Sequence, residues 1–264
     1  MVTDEQIQRR FRGHDPAAGT DTGGTPWAGR QLTSTGFDGD TGAADAALLG
    51  AMAAAAEADP GEACDAETRL VDIVSAARLL VPVVAVAGET TQVDGRTADA
   101  SSDMAAVTLV GPDGQRALPA FTGFDSLSAW DASARPVPVS AQRAAQAAVQ
   151  EGCHEMVLDL GQQVSVVLRG SMVWALAMDR PWVPPHRDPQ VGSAVDAAVA
   201  DEPAVHSVSL AGGPGGALRI DLALRPGLSP TDLQKLAQRV GERIALDGEV
   251  RARIDALAFS VSGV

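Results

Sequence analysis

One continuous stretch, residues 111–161, constrains the fold of this chain more than any other segment. It opens with a Gly-Pro-Asp-Gly sequence, in which Pro112 presets the turn angle and Gly114 accepts a positive φ. Short runs typical of strands flank this turn. The pattern therefore predicts a β-hairpin formed by Met104–Val110 and Gln115–Ala120.

An aromatic loop and a proline-containing strand follow the hairpin. Thr122 and Asp125 stand three residues apart, as in a capping box, so they predict a short helix that turns Leu127 and Trp130 toward the core. Prolines before and within the next run exclude a helix and predict an extended strand over Pro136–Val139. The residues beyond it predict a helix over Gln142–Gln150, strands over Glu155–Leu160 and Gln163–Arg169, and an amphipathic segment over Ser171–Met178.

Two helices and a strand are predicted before the hairpin. The helices are expected over Ala43–Ala58 and Glu62–Ala77, and the second carries its apolar residues on one face. Leu79–Ala87 is continuously apolar and β-branched, which predicts a central strand covered on both faces. Pro82 within this strand is tolerable only beside an irregular or edge position.

The C-terminal part alternates helix, strand, strand, helix and strand. The predicted elements are Val191–Ala200, Val205–Ala211, Ala217–Leu224, Pro230–Leu246 and Ala256–Val261. Ser229 is expected to cap the last helix, with Pro230 in its first turn. The glycine-rich loop at residues 212–216 lies between two strands and lacks GxGxxG spacing, so it predicts a turn and not a phosphate loop.

Several of these runs resemble the proteins that carry an SseB N-terminal domain, a family named after an enhanced serine sensitivity trait. The similar runs are Arg78–Val84, Pro112–Thr122 and Arg135–Val139, together with Leu127 and Trp130. In actinobacterial members, segments similar to Pro26–Leu32 and Gly36–Leu48 precede them. The resemblance covers most of residues 26–165. It brings no catalytic residue with it, because the family has no established catalytic mechanism.

The order of elements predicts an α/β protein of the α+β kind. We expect a mixed-sheet, SseB-like N-terminal domain over residues 43–179 and a small α+β sandwich over residues 190–264. Four prolines in Arg180–Pro189 predict a stiff linker between them. Residues 1–42 are expected to be extended and partly ordered. Trp27 and Arg30 are the predicted docking point of this segment, although Trp27 could instead contact a partner.

Composition excludes several classes of function. The formal net charge of −14 opposes binding to phosphate backbones, so nucleic acid is not an expected partner. Cys64 and Cys153 lie far apart without metal-ligand spacing, and no metal or other cofactor is expected. The sequence lacks an apolar run of the roughly 20 residues that span a bilayer, and its first residues do not resemble a signal peptide. We therefore expect a cytoplasmic protein that does not bind membranes.

The candidate binding surface lies around the hairpin and the aromatic loop. Asp113 and Arg116 flank the turn, Phe124 lies in the loop, and Arg135 follows it. Arginines beside aromatic side chains are common at protein interfaces and suit carboxylate binding. The alternative is that the neighbouring aromatic residues belong to the core and that the arginines are solvated.

The predicted function is non-catalytic binding or regulation, with a protein or a small carboxylate as the unidentified partner. Cys153 and His154 are adjacent in sequence, but neighbours on a strand point to opposite faces, which disfavours a catalytic dyad. An unrecognised hydrolase or transferase is one alternative, since active sites assemble from distant residues. A small amino-acid sensor is the other. The sequence does not indicate an oligomeric state.

Overall fold

The strand β1, Arg78–Ala87, lies at the centre of the first sheet, as its apolar sequence predicts. The structure is a computed structural model, and it describes residues 36–37, 39–59, 61–87, 90–93, 96–99, 102–111 and 114–263. On one side β1 pairs with β4, Ser102–Ala106, and on the other with β7, Arg135–Ser140. Both pairings are antiparallel. A further hairpin joins β2, Thr90–Val93, to β3, Arg96–Asp99.

The prolines of this sheet stand where no ladder hydrogen bond is lost. Leu80 exchanges hydrogen bonds with Phe121, so the backbone of Pro82, two residues on, faces that same side. Its nitrogen lies between the Phe121 bridge and the part of β1 that pairs with β4. This is an irregular position, as the sequence analysis predicts for a proline in this strand. In β7, the backbone N–H and C=O groups of Val137 are directed toward β1. The backbones of Pro136 and Pro138, on either side of it, consequently face the open edge of the sheet.

The second sheet is mixed and has four strands. Its order is β5, Leu109–Val110, then β6, Arg116–Ala120, then β8, Glu155–Leu158, and β9, Val166–Leu168. β6 and β8 run parallel, and the outer pairs are antiparallel. The Leu80 N–H donates to the Phe121 carbonyl oxygen at 2.8 Å, and the Phe121 N–H donates to the Leu80 carbonyl oxygen at 2.9 Å; this bridge joins the two sheets.

The predicted hairpin is confirmed only near its turn. Leu109 and Val110 pair with Ala117 and Arg116, and Gly114 has the expected positive φ of 81°. The first predicted strand is divided, however, because Ser102–Ala106 pairs with β1 and not with β6. Pro112 and Asp113 lie outside the described residues.

Five helices pack with these sheets: α1, Ala46–Glu57; α2, Ala63–Ser75; α3, Phe124–Trp130; α4, Ala141–Gln150; and α5, Gly170–Ala177. α4 approaches α5 closely, and its buried side chains are all alanines. The largest fully buried side chains of this part include Met52, Leu70, Leu79, Leu118, Met156, Leu158 and Met172. The chain therefore has the α+β fold that its sequence predicts.

The predicted Thr122 cap of α3 is wrong. Gly123 occupies the N-cap position, and the Thr122 side chain instead donates its hydroxyl to Asp159 Oδ2 at 2.6 Å. The Thr122 N–H donates to Asp159 Oδ1 at 2.8 Å. Thr122 and Asp159 are both buried, so the carboxylate fixes the point where β6 ends and α3 begins.

The C-terminal part consists of a three-stranded sheet with helices on one face. Its helices are α6, Pro189–Val199; α7, Pro230–Ala245; and α8, Gly248–Arg251. Its strands are β10, Val205–Gly212; β11, Leu218–Leu224; and β12, Leu257–Gly263. β11 is central, antiparallel to β10 and parallel to β12. The second core includes Val191, Val195, Ile220, Leu222, Leu236, Val240 and Ile244.

The caps of this part agree with the sequence. The N–H of Asp232 donates to Ser229 Oγ at 3.2 Å, as predicted for the start of α7.

Glu202, almost fully buried, accepts hydrogen bonds from Arg239 of α7 at 3.0 and 2.6 Å. The hydrogen bond from Arg239 holds the pKa of Glu202 below its ordinary value.

The segment predicted as a linker, residues 180–189, packs onto the rest of the fold. Trp182 and Asp188 are each 4% exposed, and Pro185–Arg187 forms a 3₁₀ turn that contacts β10. Residues 39–264 form one unit by their contacts. Separate folding of residues 190–264 stays a prediction.

Asp159 offers a direct test of the junction between β6 and α3. Asp159→Ala leaves two buried donors of Thr122 unpaired and places alanine at a φ of 51°, so we expect a loss of about 3 kcal/mol in the free energy of unfolding. Asp159→Asn keeps one acceptor and tolerates positive φ, and should cost about 1 kcal/mol. Urea denaturation measures both.

Asp179 supplies the matched control, because it has nearly the same φ, 52°, and is exposed. Asp179→Ala isolates the backbone cost, about 1 kcal/mol. A loss for Asp159→Ala no larger than for Asp179→Ala would contradict the role given to the buried carboxylate.

Candidate functional site

A cleft of about 740 Å³ opens beside α5, and we call it the α5 cleft. Three groups of residues line it. The first is residues 153–155, where β8 begins; the second is Arg169 with one face of α5; and the third is residues 248–256, which lead from α8 to β12. These groups are distant in sequence, so long-range contacts must hold the walls in place.

Asp255 joins one wall to the start of α5. The Ser171 N–H donates to Asp255 Oδ1 at 2.7 Å, and the Ser171 hydroxyl donates to Asp255 Oδ2 at 2.8 Å. A carboxylate at a helix N-terminus binds free N–H groups and interacts favourably with the helix dipole. The cap of α5 is thus supplied by a residue 84 positions later in the chain.

Arg169 extends this junction to α2. Its two terminal nitrogens donate to Glu67 Oε1 and Oε2 at 2.6 and 3.0 Å, and its Nε donates to Asp255 Oδ2 at 3.1 Å. The Arg169 side chain is 17% exposed. Burial alone would lower the pKa of Arg169, but the hydrogen bonds and charges of Glu67 and Asp255 outweigh it and raise that pKa. A forked guanidinium fits two carboxylates in a way that an ammonium does not.

Trp182 completes this network. The Trp182 indole N–H donates to Ser171 Oγ at 3.0 Å, and the Arg169 guanidinium carbon lies 5.9 Å from the centre of the Trp182 ring. A Cβ at Gly216 would overlap the Arg169 guanidinium, so the turn before β11 approaches it closely. We call Glu67, Arg169, Ser171, Trp182 and Asp255 the Arg169 network.

An apolar strip is exposed on the wall formed by α5. Trp174 and Met178 lie four residues apart, on the same side of the helix, and are 41% and 56% exposed. Val173 and Ile254 line the cleft beside them. Exposed aromatic and methionine side chains that are concentrated in a concave surface are typical of binding sites.

Charged side chains of both signs accompany this strip. Arg180 and Glu249 form an ion pair at 3.1 Å across the cleft. Glu155 and Arg251 also line the cleft, and neither forms an ion pair with the described residues. The cleft can therefore offer one cation and one carboxylate to a ligand.

A thiol and a hydroxyl also line the cleft. Cys153 is 7% exposed, and burial raises the pKa of its thiol, so the thiolate is disfavoured. The Ser171 hydroxyl is engaged by Asp255 and Trp182 and contacts no imidazole in the described structure. His154 is exposed whereas Cys153 is buried, so the two side chains lie in different environments. Within the described ranges, no group of three or more His, Cys, Asp or Glu residues is placed to hold a metal ion.

The predicted site residues that the structure describes, Arg116, Phe124 and Arg135, are not among the residues that line the cleft. Arg116, at the start of β6, donates to Thr108 Oγ1 at 3.1 Å and lies 3.9 Å from Glu151. Phe124 is the first residue of α3, four residues after β6 ends, and is 47% exposed. Arg135 is exposed at the start of β7. Arg116 begins β6 and Phe124 lies beyond its other end, so a common binding surface of these residues stays a prediction.

Arg116 is the predicted residue that borders the cleft. Its carbonyl oxygen accepts the N–H of His154 at 2.8 Å, and the preceding residue, Gln115, lines the cleft. Asp113, Trp27 and Arg30 lie outside the described residues. The side chains that shape the cleft, Arg169, Trp174 and Asp255, were not among the predicted site residues.

Comparison with known proteins gives one match. Residues 48–175 match the family model of the SseB protein N-terminal domain, from the third residue of α1 into α5. No curated protein and no solved structure matches the chain. Of the helices described, none combines the length and apolar character needed to cross a membrane.

The Arg169 network is testable by substitution. Arg169→Ala leaves Glu67 and Asp255 largely buried without their cation, so we expect a loss of about 3 kcal/mol in the free energy of unfolding. Arg169→Lys keeps the charge but not the forked geometry and should lose about half as much. Arg135→Ala, at an exposed arginine, should change stability by less than about 0.5 kcal/mol.

Urea denaturation measures the free energy of unfolding of the three variants. Equal stabilities of Arg169→Ala and Arg135→Ala would contradict a structural role for the network.

Proposed function

Since the chain belongs to the SseB family through the N-terminal domain that residues 48–175 carry, we propose that it acts as a non-catalytic binding protein. In this proposal, the α5 cleft holds an extended segment of a protein partner. The domain itself names no ligand. The ligand class is therefore inferred from the chemistry of the cleft.

The exposed strip of Trp174 and Met178 carries this proposal. Tryptophan and methionine are enriched in the buried centres of protein interfaces, and here both line a concave surface with large parts of their side chains open to solvent. A volume of about 740 Å³ can take several side chains of a peptide. Burial of the strip by a partner would supply the affinity.

The charges around the strip suit a polypeptide ligand. Glu155 and Arg251 are available for the polar groups of a bound segment, while the paired Arg180 and Glu249 mark the rim. Groups of both signs favour orientation and specificity more than raw affinity. The raised pKa of Cys153 and the engaged hydroxyl of Ser171 support binding over covalent chemistry.

A small carboxylate is the second candidate ligand. Arg251 is exposed and has no ion pair among the described residues, so it can bind a carboxylate. Glu155 in the same cleft would suit the ammonium group of an amino acid. The surface of Arg116, Phe124 and Arg135 is kept as an alternative location for partner binding.

Site-specific photo-cross-linking in cells tests the proposal. A photo-cross-linking amino acid replaces Met178, and in a parallel protein it replaces Phe124, which is similarly exposed at 47%. We expect covalent adducts with a protein from position 178. Trp174→Ala should reduce these adducts at least about tenfold, because truncation of a central aromatic residue commonly costs 2 kcal/mol or more.

The Phe124 protein is the matched control, and a thermal melt shows that each variant is folded. Adducts from position 124 alone would favour the surface of Arg116, Phe124 and Arg135. Adducts from position 178 that persist in Trp174→Ala would contradict the proposed strip. Absence of protein adducts, together with a thermal shift by free α-amino acids that Arg251→Ala removes, would favour the small-carboxylate ligand.

A further inference from the structure

Among the described residues, β12 is an edge strand with one unpaired side. It pairs with β11 in parallel, with Ile220 opposite Phe259. The Leu218 N–H donates to the Ala256 carbonyl at 2.8 Å, so the even-numbered residues of β12 face β11. The N–H and C=O groups of Phe259 and Val261 consequently point toward the open edge.

This edge lacks the protection that other edges of the protein have. β7 carries Pro136 and Pro138 on its open side, while β5 and β9 are only two and three residues long. β10 has a bulge between Val205 and Ser207, and the 3₁₀ turn of residues 185–187 contacts it. β12 has seven residues, with no proline, charge or bulge. Natural proteins rarely leave such an edge free, because it templates pairing with another strand.

The helical layer also leaves β12 incompletely covered. Residues directly opposite in the ladder share a face, and the residues of β11 on the helix side, Leu218 and Leu222, are almost fully buried. Their partners in β12, Leu257 and Val261, are 36% and 48% exposed. The sheet therefore extends beyond the helices that pack on it, and an apolar margin remains on that face.

We propose that β12 is a homodimer interface, in which the strand pairs antiparallel with β12 of a second copy. A two-fold axis at Ser260 places Phe259 of one copy opposite Val261 of the other. Apolar side chains of the two copies then meet on the face that the helices cover, and small or hydroxylated side chains meet on the opposite face. A self-matching edge favours a second copy over a foreign strand.

The proposed contact itself contains no like charges. The chain carries a net charge of −14, so two copies repel each other at most orientations. The sequence of β12 contains no ionisable side chain, and the approach of two such strands keeps like charges off the contact itself. The result is a continuous six-stranded sheet built from two three-stranded ones.

Sedimentation equilibrium of the full chain tests this inference. We expect the mass to approach twice 27.0 kDa as the concentration rises. Val261→Lys places a strongly hydrated charge opposite the apolar Phe259 of the other copy, and the symmetry of the interface repeats this contact. The dissociation constant of the dimer should therefore rise about tenfold or more. Val261→Thr keeps the branched, uncharged shape and should leave the dimer nearly unchanged. Ser207→Lys, an equal charge on exposed β10, should have no effect on the mass.

Hydrogen exchange of the folded variants locates the contact. In the dimer, the amides of Phe259 and Val261 should exchange slowly, and Val261→Lys should return them to fast exchange while the amides of β11 stay protected. A chain that stays monomeric at all concentrations would overturn the proposal. So would a dimer that Val261→Lys leaves intact, or an edge protected only when a different protein is bound.

Discussion

The contact of Arg169 with Glu67 and Asp255 is the interaction on which the candidate site depends. Arg169 stands between β9 and α5, Glu67 belongs to α2, and Asp255 lies two residues before β12. One cation thus joins three parts of the chain that are remote in sequence. Because its partners are mostly buried, loss of the cation would leave negative charges without compensation, which is why the network constrains the surrounding backbone.

The cleft follows from this junction. Asp255 caps α5 and also holds Arg169, so the segment of residues 248–256 cannot collapse onto α5 and instead stands beside it as a wall. Two other ion pairs hold the same segment, Arg180 with Glu249 and Asp188 with Arg253. The face of α5 that carries Trp174 and Met178 is consequently left open. The polar network that positions the wall therefore also leaves the apolar strip exposed.

Local sequence patterns were sufficient for most of the elements and for some caps. The proline spacing of β7, the turn glycine at position 114 and the Ser229 cap depend on near neighbours, and they are found where predicted. Thr122 does not cap α3 because its hydroxyl instead donates a hydrogen bond to Asp159, 37 residues away. The candidate site was not predicted for the same reason. The pattern of residues 171–178 predicts an amphipathic segment, but it does not show which apolar side chains the core leaves uncovered. Arg169 and Asp255 carry no local motif, so only the fold reveals their pairing.

A double-mutant cycle between Arg169 and Asp255, followed by urea unfolding, tests the central claim most directly. Arg169→Met removes the guanidinium, and Asp255→Asn keeps an acceptor for the Ser171 N–H while removing the charge. If the contact joins the walls of the cleft, the two substitutions should couple by about 1–2 kcal/mol. Effects that add within about 0.3 kcal/mol would mean that the two residues act independently, and the account of the cleft would be contradicted.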